Sequence, residues 1–231
     1  MYAGRVMRKM HWIVRFAGMA GVSAALLAGA EGCCAFRPFY YKAMSALGKE
    51  KRDLLVADVL KARDAQQDTQ EVFKNALEQF SAVVKFDGGD LQKEYDRLSK
   101  ELARCEGRAD AVGSRIDEVE RVAKDLFKEW EGETKQYKNE VYRKDSERKL
   151  RETRASCKRM VEAMRAAEKR IDPVLSVFRD QVLYLKHNLN ARALSSLQSE
   201  SAKVESDVSA LVDDLSAAIE EANRFIDGIA Q

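Results

Sequence analysis

The chain has 231 residues, of which 34% are charged, 2 are proline and 4 are cysteine, with 40 basic against 38 acidic side chains. High charge, few prolines and a sustained apolar period make up the composition of long helices and coiled coils. Removing residues 1–32 takes Arg5, Arg8, Lys9, Arg15 and Glu31 away, so 40 basic and 38 acidic become 36 and 37, a net of −1. Such a near-neutral mixture gives no electrostatic footprint for nucleic acid.

The N-terminus reads as an address. Arg5, Arg8, Lys9 and Arg15 form a basic flank, followed by an uncharged run from Phe16 to Ala30. That run is shorter than the roughly 20 residues a membrane span needs. A basic flank, a short apolar core and small residues at its end are the marks of a secretory signal. The sequence Ala30-Glu31-Gly32-Cys33 resembles a bacterial lipobox, in which Cys33 would carry the lipid. Ala28-Gly29-Ala30 offers an ordinary cleavage site instead, and an uncleaved anchor is the third reading. Residues 1–32 are therefore taken as a signal peptide of lipoprotein type, 33–41 as a tether and 42–231 as a helical bundle. Phe36, Phe39, Tyr40 and Tyr41 in the tether suit a membrane–water interface, or pack on the bundle.

Four helices are expected after the tether. The first runs from near Lys42 to Phe86, with its seam at Leu55, Val59, Ala62, Gln66, Thr69, Phe73, Ala76, Phe80 and Val83. Asp87-Gly88-Gly89-Asp90 ends it, glycine suiting the left-handed C′ position and Asp90 the next N-cap. The second, to about Lys138, carries Leu91, Tyr95, Leu98, Leu102, Cys105, Ala109, Val112, Ile116, Val119, Ala123, Leu126 and Trp130. These steps alternate four and three without a slip, which places them all on one helix face. Gly107 and Gly113 weaken its interior by about 1 kcal/mol each relative to alanine.

A break at Asn139–Asp145 leads into the third helix. Its seam is Leu150, Thr153, Cys157, Met160, Met164, Ala167, Ile171, Val174, Phe178, Gln181 and Leu185, with Pro173 inside it. The phase runs on through Pro173, which favours a kink, while Asp172 offers a cap for a new helix. His187-Asn188-Leu189-Asn190 reads as a tight turn. The fourth helix carries Leu197, Ser201, Val204, Val208, Leu211, Leu215, Ala218, Ala222, Phe225 and Ile229. Matched lengths of roughly 40 to 48 residues, about 60–70 Å of rise, predict an all-α, elongated antiparallel four-helix bundle. The alternative is a thinner hairpin that dimerises to complete its core.

The chemical inventory is thin. After the signal the one histidine is His187, and there is no His-Glu-x-x-His, phosphate loop or Gly-x-Ser-x-Gly elbow. Asp87, Asp90 and His187 read as capping and turn residues rather than as metal ligands. No catalytic residue, metal or cofactor is expected. In a hairpin turning near residue 142, Cys105 faces the region of residue 179 and Cys157 that of residue 127. The two are then offset by roughly 30 Å, far beyond disulfide reach, and both are expected as buried free thiols.

Four stretches resemble a known family: Lys51-Arg52-Asp53-Leu54-Leu55-Val56, Phe86 to Leu91, Leu126 to Glu131 and Asp180 to Ala193. In this order they are similar to a bacterial family of predicted lipoproteins known as domain of unknown function 2959. The resemblance implies an exported, membrane-attached protein in the bacterial cell envelope, and brings no activity with it. The periplasmic side of the outer membrane is the expected location, the inner membrane being the other candidate.

Two surfaces stand out on this topology. Lys135, Lys138, Arg143, Lys144 and Arg148 cluster at the second turn, the end where the N-terminus enters, and suit anionic headgroups. Asp87, Asp90, Lys186, His187, Asn188, Asn190 and Arg192 meet at the far tip and suit an unknown protein partner, or serve only their turns. The expected function is a non-enzymatic, membrane-anchored spacer, scaffold or interaction lipoprotein. The alternative is a BAR-like homodimer that shapes membranes.

Overall fold

The computed structural model describes residues 50–230. Cys33, the signal segment, the tether and residues 42–49 lie outside the described residues. Four helices follow one another, α1 (Lys51–Val84), α2 (Leu91–Thr134), α3 (Glu140–His187) and α4 (Ala191–Ala230), with no strand among the described residues.

Local chemistry sets the helix ends. Asp53 accepts from the Glu50 backbone N–H at 3.2 Å, and α1 begins at Lys51 after an extended Glu50. The Asp90 carboxylate accepts from the Lys93 N–H at 3.3 Å and caps α2 as the sequence predicts. The glycines do not occupy the C′ position of α1. The helix ends at Val84 with Lys85 as its C-cap, and Gly88 and Gly89 carry φ of 154° and 119° in the loop beyond. A side chain would be strained at either position, so glycine reverses the chain there.

The second turn lies earlier than the predicted break at Asn139–Asp145. Helix α2 stops at Thr134, and the Asn139 side chain accepts from the N–H groups of Val141 (2.9 Å) and Tyr142 (3.4 Å). Asn139 is thus the N-cap of α3, and residues 140–145 are already helical. Residues 139–145 have no apolar periodicity, so only the cap chemistry marks this boundary. Helix α3 runs unbroken through Pro173, and Asp172 does not cap a new helix. Pro173 is exposed, so the backbone acceptor it leaves without a helical donor lies toward solvent.

Each helix packs on its neighbours in sequence, and α1 also packs on α4, which closes a square. Cross-helix bonds show that neighbours run antiparallel. Lys51 pairs with Glu129 at 2.9 Å and Arg108 with Asp68 at 3.0 Å between α1 and α2. Arg179 pairs with Glu106 at 2.6 Å between α2 and α3, and Arg170 with Asp214 between α3 and α4. Gln70 of α1 donates to the Val212 carbonyl (3.1 Å) and to Ser216 Oγ (2.6 Å) of α4.

All nine predicted seam positions of α1 are buried. Phe178 of α3 meets Phe73 and Phe80 of α1 edge-on, with ring centroids 6.5 and 6.0 Å apart, across the centre of the square. In α2 the seam is buried from Val112 to Leu126, while Leu102, Ala109 and Trp130 are half-buried and Val122 and Phe127 join the core. A strict 3.5-residue seam drifts about 20° per heptad around a straight helix, so the buried face broadens beyond it.

One polar layer interrupts the core. Gln66 is fully buried and its Nε2 donates to the Met164 carbonyl at 3.3 Å, while Oε1 has no partner. An orphaned buried acceptor costs about 1–3 kcal/mol, a cost this layer carries within the core. On the surface, Arg165 of α3 binds Asp117 and Glu120 of α2 together with Glu168 of its own helix. Gly113 lies under this cluster, and a Cβ there would meet Glu168 Oε1 at 2.5 Å. Gly107 has no such neighbour within 4 Å.

The two glycines are therefore expected to respond differently to alanine. Gly107→Ala should raise the unfolding free energy by about 1 kcal/mol through helix propensity alone. Gly113→Ala should gain clearly less, because the Glu168 carboxylate must swing away from Arg165. Urea unfolding of the two variants measures the difference, and equal gains would contradict the role given to Glu168.

Candidate functional site

The square places α1's first turn, the α2–α3 turn and α4's last turn at one end, here the base. The α1–α2 and α3–α4 loops share the other end, the tip. The base is built by the Asn139 cap. By opening α3 at Glu140, the cap leaves Tyr137, Val141 and Tyr142 outside the bundle, 45%, 72% and 63% exposed. A polar link holds the turn to the bundle above it. Trp130 Nε1 donates to Ser146 Oγ at 3.0 Å, and Ser146 and Thr134 share a hydrogen bond of 2.8 Å.

The five basic residues singled out in sequence divide into two groups here. Lys144 pairs with Glu140 at 2.9 Å, and Arg148 with Asp145 at 2.6 Å and Glu152 at 3.0 Å. Hydrogen bonds from Arg148 and then Lys149 hold the Asp145 carboxyl below its ordinary range. Those charges are partly neutralised within α3. Lys135, Lys138 and Arg143 are exposed and make no ion pair among the described residues. They flank Tyr137, Val141 and Tyr142, giving an exposed patch with aromatic, aliphatic and cationic members. Sequence reasoning counted the charges of this patch and missed its apolar members. Their signal was three apolar residues within a charged stretch, two of which, Val141 and Tyr142, are off the phase of the α3 seam.

At the tip, three of the predicted residues serve the turns. Asp90 caps α2, Asn188 Nδ2 donates to the Tyr184 carbonyl at 3.0 Å, and Asn190 Oδ1 accepts from the N–H groups of Arg192 (3.0 Å) and Ala193 (3.1 Å). Asp87, Lys186, His187 and the Arg192 side chain are exposed without a polar partner among the described residues. No hydrogen bond or ion pair joins the two tip loops among the described residues. Leu183, Tyr184 and Leu189 are exposed beside them, an apolar component that the sequence pattern did not single out.

The titratable core consists of two thiols. Burial pushes Cys105 up to about 12 and Cys157 up to about 11, and Cys105 Sγ lies 3.4 Å from the Val72 carbonyl. Both are buried and unpaired, as the register argument requires. Among the described residues no three His, Cys, Asp or Glu side chains converge to hold a metal, and no helix is long and apolar enough to cross a membrane.

Fold and ends together define the class: an all-α antiparallel four-helix bundle with one amphipathic, cationic end. The family described as protein of unknown function, DUF2959, matches residues 40–229, and the chain belongs to it. No curated protein is significantly similar to it.

The thiols supply a pH test. Their raised values favour the neutral form in the folded state. That contribution to stability is complete below the unfolded thiol value, about 8.5, and falls as pH rises through 11 to 12. Iodoacetamide at pH 8 should leave Cys105 and Cys157 unmodified in the folded protein and alkylate both in urea, read by peptide mass mapping. Rapid alkylation of either in the folded protein would contradict its burial.

Proposed function

We propose that the protein is a membrane-anchored, non-enzymatic helical spacer of the bacterial envelope. Its base rests on anionic headgroups and its tip carries the partner-binding face. The observation that carries this reading is the exposed patch of Tyr137, Val141 and Tyr142 among Lys135, Lys138 and Arg143. Aromatic rings with polar edges partition to the membrane interface, and each nearby basic residue adds about 1 kcal/mol on an anionic surface. The patch lies at the end where α1 begins, so a lipid on Cys33 would tether that same end. The rise of α2, 44 residues long, then sets the tip about 66 Å away. Burial of the α1 seam and most of the other three within one chain, among the described residues, supports a spacer over a curved dimer.

Hydrogen exchange of the full chain in lipid nanodiscs tests the base. Residues 135–144 should exchange more slowly in anionic than in zwitterionic bilayers. Lys135→Glu, Lys138→Glu and Arg143→Glu together should remove the difference, while residues 183–192 are indifferent to lipid charge. The same exchange at 135–144 in both bilayers would overturn the reading.

A further inference from the structure

The base also contains a cavity of about 490 Å³ to which all four helices contribute. That volume falls within the roughly 300–1,000 Å³ of small-molecule sites. Its wall is divided by polarity. The half-buried Trp130 gives it an apolar face, with the buried Phe225 and Ile229 behind, and Arg52, Arg148 and Lys149 stand around it with Glu152. Trp130 is held in place by its bond to Ser146. That bond satisfies the indole N–H, so what the side chain can still offer the cavity is its aromatic surface. Arg52 is exposed and has no ion pair among the described residues.

Gly228 completes the wall on α4. A Cβ built there meets no heavy atom within 4 Å, so packing against a neighbour does not account for it. A larger side chain there therefore has room to enter the cavity.

We propose that this cavity binds the acyl chain of an anionic membrane phospholipid, with the phosphate on Arg52. The Trp130 face accepts the chain, and Arg52, whose charge no carboxylate neutralises among the described residues, selects an anionic head over a neutral one, Arg148 and Lys149 being held by Asp145 and Glu152. A free phosphate would leave the apolar face unused, and an aromatic peptide would leave Arg52 unused. The proposal rests on the reading that the base faces the bilayer, which puts lipid within reach.

The test uses the full chain in nanodiscs containing phosphatidylglycerol with a diazirine on one acyl chain. Adducts are mapped by mass spectrometry after irradiation. Label is expected on Trp130, and Gly228→Leu should lower it at least tenfold while helicity is retained and the melting temperature is equal or higher. Arg52→Glu should lower it severalfold. Label at 135–144 with Trp130 unmarked overturns the cavity and leaves the headgroup reading standing. Label on Trp130 without 135–144 supports the cavity and counts against the headgroup contact. Label on neither, or confined to residues 1–49, overturns both. Unchanged Trp130 label in Gly228→Leu overturns the cavity alone.

Discussion

Water rejects an apolar stripe on a helix, and four such stripes in one chain, on helices of 34 to 48 residues, have few ways to escape it. Each fully buried Phe or Leu is worth about 1.5–3 kcal/mol. Phe73, Phe80, Phe178, Phe225, Leu55 and Leu98 are all nearly or fully inaccessible. Short loops force sequential helices to be antiparallel neighbours, and α1 meeting α4 closes the square. Everything else about the protein follows from that closure, including which segments share an end.

Closure by apolar contact alone leaves helices free to slide past one another by a turn. The polar contacts supply the register. Lys51 with Glu129 and Arg108 with Asp68 fix α1 against α2, while Gln66 Nε2 meets the Met164 carbonyl across the core. Arg165 with Asp117 and Glu120 fixes α3 against α2 from outside, with Gly113 making room for Glu168. These surface pairs add little stability singly, yet several in agreement specify one alignment. The ends of the bundle become defined surfaces through that alignment, since a slip of one turn would misplace the Asn139 cap, the Ser146 link to Trp130 and the cavity together.

The sequence was most informative where apolar periodicity carries the information. Every seam position of α1 and most of those in the other helices were legible, as was the separation of Cys105 from Cys157. Asp90, Asn188 and Asn190 were legible as turn chemistry. The α2–α3 boundary was not, because residues 135–145 have no apolar rhythm and one amide side chain decides where α3 begins. The exposed faces of Tyr137 and Tyr142 depend on that decision. The cavity was out of reach altogether, since Arg52, Trp130, Arg148 and Gly228 come together only once the register of four helices is known. A residue that leaves space for a neighbour, as Gly113 does for Glu168, looks like a mere weakness until that neighbour is in place.

In the closed square the loops at Asp87 and Leu189 share one end, and Tyr137 lies at the other. Pulsed dipolar spectroscopy with genetically encoded spin labels in the full chain measures this directly. Labels at 87 and 189 should lie within about 20 Å, the width of two packed helices, and labels at 87 and 137 about 60–70 Å apart. A distance above about 60 Å for the first pair, or a short one for the second, would contradict the up-down-up-down square on which the account stands.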